Sequence, residues 1–398
     1  MDTPMRQAAG KAIGLERFGF PISPDQREIH ETMRRFGRDR LAPDAADRDR
    51  DHRFPTAEIG ELARMGGMAM KAAPDDDGPG LDNTAYALSI EALAEADPSV
   101  AVVTVASNLA MNILSLHANE DQRARFLRPV ARGERGAASF GLTEPHAGSD
   151  AAAIKTRARR AGADWILSGA KQWITGAAAA EVFVVFAKTD PGSNAVSCFV
   201  VEKGTAGFEL GRIEDKMGLR SSGTAQLFFD NCRIPGANLV GNEGEGYRLA
   251  IGALAPSRIA IAAQSIGIAE RAFALGLDYA RERQVFGGAV SDLQVNRHTL
   301  ADARTELDQA WLLMLRGARL LDDGYRVAEE ASMAKLAASE ICGRVVDRML
   351  QLHGGNGYSR EYEIERLYRD ARVMRIYEGT SEIQREIIAR AVVDGGRG

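Results

Sequence analysis

Little in this sequence could hold a metal ion or a disulfide framework. Its three cysteines, Cys198, Cys232 and Cys342, are far apart, odd in number and without CxxC spacing. The six histidines are scattered, with no HExxH or His-x-His pair, so no metal site is expected. Positive charge is not in excess: 50 Lys and Arg face 55 Asp and Glu, a net of −5. Such a balance offers no broad basic field to nucleic acid, and the short Arg157–Arg160 cluster reads as solvated surface. No uncharged apolar stretch reaches membrane-spanning length, so no span is expected. The start, Met1 to Gly19, has no continuous apolar segment, and Asp2 and Glu16 break a transit-peptide pattern. The expectation is a cytoplasmic protein. The stretch Gly241-Asn-Glu-Gly-Glu-Gly246 misses the GxGxxG spacing and follows no convincing buried strand. Strand–helix alternation is absent as well, which disfavours a nicotinamide-dinucleotide fold.

What is present is an ordinary globular composition, 45% hydrophobic and 26% charged, in a chain of 398 residues. That length suits two or three domains. Three zones follow one another. The first, 21–135, is helical: Ser23-Pro24-Asp25 reads as a helix start, with Ile29, Met33 and Phe36 on one face. Pro43, Pro55 and the Pro74–Gly80 run punctuate further helices, and Asp75–Asp77 reads as a turn with capping carboxylates. The second, 136–246, carries β-type runs at Trp165–Leu167, Val182–Ala187, Ser197–Val201 and Ala225–Phe229, the pattern of a small antiparallel sheet domain. The third, 247–393, is helical again. Leu293, Leu300, Leu307, Met314 and Leu321 recur every seven residues, as in long packed helices of a bundle. The fold class is therefore α+β, mainly α, with a β domain between two helical ones.

Three stretches carry candidate chemistry. The loop Phe140-Gly-Leu-Thr-Glu-Pro-His-Ala-Gly-Ser-Asp150 offers hydroxyls and bare backbone N–H groups to a polar ring or a phosphate, or is a plain turn between zones. Trp173-Ile-Thr-Gly176 puts an aromatic and a hydroxyl on one side if extended, as a wall for a planar cofactor or as cross-strand packing. In Arg375-Ile-Tyr-Glu-Gly-Thr-Ser-Glu-Ile-Gln384, Glu378 stands at a break before a helix capped by Thr380-Ser381. Flanked by Ile376 and Tyr377, its carboxylate would be partly desolvated, which raises its pKa and suits it to take a proton. On spacing alone it is one acidic residue among many.

Taken in order, Gly-Leu-Thr-Glu-Pro-x-Ala-Gly-Ser-Asp, Trp-Ile-Thr, Arg-x-x-Phe-Gly, Gln-x-x-Gly-Gly-x-Gly-Tyr and Ile-Tyr-Glu-Gly-Thr-Ser-Glu-Ile-Gln make the chain resemble the acyl-CoA dehydrogenase family, near its short- and medium-chain members. The resemblance runs from about Pro21 to Ala391. It implies an N-terminal helical domain, a middle β domain and a C-terminal four-helix bundle, an FAD cofactor and a homotetramer whose flavins are completed by neighbouring subunits. It implies Phe140, Leu142 and Thr143 along the flavin, Trp173 and Thr175 flanking it, and Ser149 by the CoA portion of the substrate. Arg283 and Phe286 would reach a neighbour's FAD, a guanidinium suiting the pyrophosphate. Gln294, Gln351, Gly354 and Gly355 would complete the adenosine and pyrophosphate pocket, and Thr380 and Glu382 would close the site at a helix N-terminus. Arg258, and more weakly Arg326, would meet the CoA.

The implied reaction removes the α-proton of a short- to medium-chain acyl-CoA, straight or branched, with Glu378 as base and flavin N5 as hydride acceptor, giving a trans-2-enoyl-CoA. Electrons would pass to electron transfer flavoprotein, as in fatty-acid β-oxidation. One branch of the family places its base at the start of the first bundle helix. Here that segment reads Leu254-Ala-Pro-Ser-Arg258, and Ser257 cannot serve as a carboxylate base. Ala255 stands where many relatives have Asp, Phe140 replaces a frequent Tyr, and His146 and His353 sit inside cofactor motifs. An oxidase or another flavin enzyme of the same fold is the alternative. A non-catalytic assembly protein would be expected to have lost Glu378 or the flavin contacts.

Overall fold

The computed structural model describes residues 15–189 and 195–394. Asp2, and with it the reading of the chain's start, lies outside the described residues. The first long helix, Pro24–Phe36, begins where the sequence signals it. Ser23 accepts from the Gln26 N–H, the Gln26 side chain accepts from the Ser23 N–H, and Pro24 occupies the first helical position. Two almost wholly buried helices follow, Asn83–Ala96 and Pro98–His117. Asp97 between them caps the second through the Ser99 and Val100 N–H groups and also receives the buried Arg48 guanidinium. In the Asp75–Asp77 turn, Asp76 is buried and paired with Arg123 and Arg128. No group of metal-ligating side chains occurs among the described residues.

The middle region is an eight-stranded sheet. The sequence pattern located four of its strands, which the structure extends to Asp164–Ile174, Ala180–Lys188, Val196–Glu202 and Ala225–Ile234. Most neighbours are antiparallel, but Ala137–Gly141 runs parallel to Ala180–Lys188, and Arg157 pairs in parallel with Lys188. The sheet is thus mixed rather than purely antiparallel. Strand Ala137–Gly141 reaches its partner through an intervening excursion, not a hairpin, so parallel pairing is open to it.

The third region holds helices Gly246–Glu282, Gln294–Asp322, Ala328–His353 and Ser381–Val393, with Glu363–Ala371 bridging to the last. Four of the five stripe residues form a packing seam: Leu307 and Met314 are fully buried, and Leu300 and Leu321 pack against the same core, whereas Leu293 stands exposed just before the helix. Helix Pro98–His117 touches both strand Ala137–Gly141 and helix Gly246–Glu282, so it ties the three regions together. A second tie is the loop around Leu219. Its N–H donates to Asp370 at 2.6 Å, and a side chain at Gly218 would meet the Arg369 backbone at 2.5 Å. Contrary to the sequence expectation, Pro98–His117 and Gly246–Glu282 are long and apolar enough to cross a membrane. Both are core helices here, with 78% and 72% of their most apolar stretches buried.

Candidate active site

Glu378 sits where the chain changes direction between two helical segments. The turn Arg372–Arg375 ends the approach from helix Glu363–Ala371, and Thr380 caps helix Ser381–Val393 by accepting from the Ile383 N–H. The reversal between them needs left-handed backbone: Glu378 has φ 55° and Gly379 φ 91°. For glutamate that conformation is strained, by about 1–2 kcal/mol, and it persists because neighbours fix it. Gln384 donates to the carbonyls of Glu378 (3.1 Å) and Gly379 (2.9 Å), and the Lys335 ammonium donates to the Gly379 carbonyl at 2.8 Å.

The Glu378 residue keeps some exposure, but its Oε2 is shielded and without a hydrogen-bond partner. Burial raises its pKa, while the Ser257 hydroxyl and the charges of Arg258 and Lys335 pull it back down. Ser257 Oγ lies near the carboxyl short of full hydrogen-bond geometry, and it too lacks a partner. Arg258, expected to meet the CoA, is buried with Nε unpartnered and its charge turned on Glu378. The carboxyl is also close enough to Tyr86 and Tyr377 for its charge to raise both phenols further above their ordinary range. Tyr377 donates to Gln264 at 2.7 Å, and Gln264 in turn donates to the Pro98 carbonyl. Tyr86, Gln264, Lys335 and Gln384 were not singled out in the sequence. Lys335 did leave a signal: Ala331, Ala334, Ala338 and Cys342 place it squarely on the buried face of its helix.

A second group lies at the sheet. Strand Ala137–Gly141 delivers Phe140, half-buried, and Leu142, buried, into the loop carrying Thr143. The loop is pinned by a buried ion pair. Lys171 donates to Glu144 (2.7 Å) and to the Leu142 carbonyl (3.1 Å), while Glu144 also accepts from the Lys155 and Thr156 N–H groups. Burial pushes Lys171 down to about 8 against the raising effect of Glu144. Gln172 N–H donates to the Thr143 carbonyl at 2.9 Å, which sets Thr143 beside Trp173. Trp173 is an irregular point within the strand: its φ is 62° and the pairing shifts register between Lys171 and Ile174. The two-residue alternation read from sequence therefore fails there, and the indole is left 54% exposed. Thr175 is half-buried and its carbonyl accepts from Ser139. Ser149 is exposed, and His146 lies 3.4 Å from Glu144. An exposed indole face between two threonines fits a planar ring with polar edges, which is the shape and chemistry of a flavin.

The remaining predicted cofactor residues gather elsewhere. Arg283 and Phe286 lie on an exposed hairpin at the end of helix Gly246–Glu282, Phe286 with φ 50° and 98% exposure. The same end carries Gln294, Gln351, Gly354 and Gly355; a Cβ built on either glycine meets nothing within 4 Å. His353 serves packing there, stacked on Tyr279 at 4.3 Å with Nδ1 bound to the Met349 carbonyl. Along helix Ala328–His353, this end is about 27 Å from Lys335, and so from the Glu378 turn, at 1.5 Å per residue. Thr380 and exposed Glu382 belong to the Glu378 end, as does exposed Arg326, close to the start of that helix.

Sequence models of the Acyl-CoA dehydrogenase N-terminal, middle and C-terminal domains match residues 23–134, 139–232 and 244–393. The chain belongs to this family and is an FAD-dependent oxidoreductase that dehydrogenates acyl-CoA. Within it, the chain is 40% identical over 393 residues to the mitochondrial short-chain specific acyl-CoA dehydrogenase of Mus musculus, covering 97% of this chain and 95% of that one. It resembles butyryl-CoA dehydrogenase from Megasphaera elsdenii with a TM-score of 0.92 at 34% identity, covering 94% of this chain and 99% of that one. A solved chain described under "Electron transferring flavoprotein of Acidaminococcus fermentans" matches with a TM-score of 0.92 at 37% identity, over 94% and 99% of the two chains.

Proposed function

We propose that the substrate is a short- to medium-chain acyl-CoA, straight or branched, and that Glu378 is the base that takes its α-proton. The observation carrying this reading is the Glu378 carboxyl itself: one oxygen shielded and unpartnered, on a left-handed turn, facing two buried cations. Burial raises its proton affinity, as a general base needs, while Arg258 and Lys335 keep the ionised form accessible. Bound FAD supplies the acceptor, at N5, for the hydride that leaves the β-carbon. Phe140, Leu142, Thr143, Trp173 and Thr175 hold and orient that ring. The backbone N–H of Glu378 donates to the thioester carbonyl and steadies the charge that develops on its oxygen. Ser149 and Arg326 are assigned to the CoA portion.

A single chain leaves Arg283, Phe286, Gln294, Gln351, Gly354 and Gly355 gathered at the far end of helix Ala328–His353, about 27 Å along that helix from Lys335 beside the Glu378 turn. A second copy brings them to a flavin it shares, as in a homotetramer, which accounts for a phenylalanine that is 98% exposed on its own chain. Electron transferring flavoprotein is the assigned electron acceptor, supported by the likeness to the Acidaminococcus fermentans chain.

The test is an anaerobic absorbance titration of the holoenzyme with butyryl-, isobutyryl- and octanoyl-CoA. The thioester that bleaches the oxidised flavin band fastest identifies the substrate class, and no bleaching by any of them refutes it. Glu378→Gln should keep FAD and slow bleaching by about 10²-fold or more. A rate near the parent's would sink the base assignment.

A further inference from the structure

Lys335 is fully buried, yet its ammonium makes one hydrogen bond, to the Gly379 carbonyl, and no ion pair among the described residues. A buried ammonium answered only by a carbonyl is costly unless a counter-charge stands near. Glu340, which faces it, is already engaged by Ser381, Arg375 and Arg385. Glu382 is exposed to solvent. The carboxyl left opposite Lys335 is that of Glu378, with its Oε2 shielded. Gln384 is equally buried and spends both amide hydrogens on the carbonyls of Glu378 and Gly379.

We propose that Lys335 and Gln384 are positioning residues that clamp the left-handed Glu378–Gly379 turn, with the Lys335 ammonium as a fixed counter-charge of the Glu378 carboxylate beside Arg258. This rests on the reading of Glu378 as base. Two carbonyls are held from opposite elements, helix Ala328–His353 and helix Ser381–Val393, so the turn cannot relax from its strained φ without losing three hydrogen bonds. The groups facing the carboxyl are Tyr86, Ser257, Arg258, Lys335 and the adjacent Tyr377. Those facing Lys335 are Glu378, Arg258, Glu340 and Glu382. Of the two cations beside Glu378, Lys335 is the one tied to the backbone of its turn. Desolvation pushes Lys335 down to about 8, so it stays charged at neutral pH.

The experiment is kcat/KM against pH with butyryl-CoA for the parent, Lys335→Met, Lys335→Arg, Gln384→Met and Glu378→Gln holoenzymes, with bound FAD measured by absorbance. The acid limb reports the base of the free enzyme. Lys335→Met should retain FAD, lower kcat more than it changes KM, and move the acid limb up by about one unit or more, as loss of a neighbouring opposite charge does. Lys335→Arg should return the limb towards the parent's position. Gln384→Met, which keeps the charge, should lower kcat by about tenfold or more through misplacement of the base while leaving the limb in place. An unmoved limb in Lys335→Met overturns the counter-charge. A parental kcat in Gln384→Met overturns the clamp, even if Lys335→Met does not fold. Parental turnover in Glu378→Gln would instead fail the base reading, leaving the two outcomes distinct.

Discussion

Gly379→Ala puts the geometry of the base turn to a quantitative test. The residue has φ 91°, and a Cβ there would stand 2.6 Å from Gln384 Nε2. Alanine in left-handed backbone costs about 1–2 kcal/mol. The Gln384 amide is the mobile end of its side chain and can swing aside, at the expense of its bonds to the Glu378 and Gly379 carbonyls, each worth about 0.5–1.5 kcal/mol. The total is about 2–5 kcal/mol if the turn stays in place. If the turn relaxes instead, stability is spared and the Glu378 carboxylate moves, which costs about 10²-fold in rate for a shift near 1 Å. Two assays separate these routes: the denaturant midpoint of the holoenzyme, and the single-turnover rate of flavin bleaching by butyryl-CoA. Either the midpoint falls clearly or the rate does. A variant within about 0.5 kcal/mol of the parent and within about twofold in rate would refute the claim that this turn is strained and held.

Two further outcomes follow from other sites. Burial pushes Asp370 up to about 7, with Asp49 adding to it against the pull of Arg366, Arg369 and the Leu219 N–H. A folded pKa above the unfolded carboxylate value means extra protons bound in the fold, so its stabilising share falls as pH rises between about 4 and 7. Asp370→Asn keeps an acceptor for Leu219 and should flatten that part of the stability–pH curve, becoming more stable than the parent only at the upper end; parallel curves would refute it. Trp173→Ala, at a half-exposed position, should leave the unfolding midpoint nearly unchanged but weaken FAD binding by about 1 kcal/mol, several-fold in Kd. Reconstitution of apoprotein followed by absorbance reads this, and an unchanged Kd would remove the indole from the flavin site.

The sequence by itself determined the α–β–α order of the chain, because hydrophobic period, caps and turn residues are local properties. Ser23-Pro24 and Thr380 mark helix starts from their own chemistry, and the Leu307–Met314 spacing forces a buried seam whatever it packs against. The motif residues pointed to FAD and an acyl-CoA. Tertiary structure alone decided the rest. Strand Ala137–Gly141 is short and pairs in parallel with a partner about forty residues on, a match no local pattern encodes. Apolar content could not say whether Pro98–His117 and Gly246–Glu282 meet lipid or protein; only their neighbours bury them. Trp173 turns out of the alternation within its strand because the pairing shifts register there. Glu378 was legible as a carboxylate at a helix break. That its oxygen is shielded, and that Lys335, Gln384 and Arg258 converge on its turn from three different helices, depends on packing between separate segments, of which the one at Arg258 is over a hundred residues away in the chain. Proton affinity is set by that convergence, since burial and neighbouring charge exist only in the folded chain.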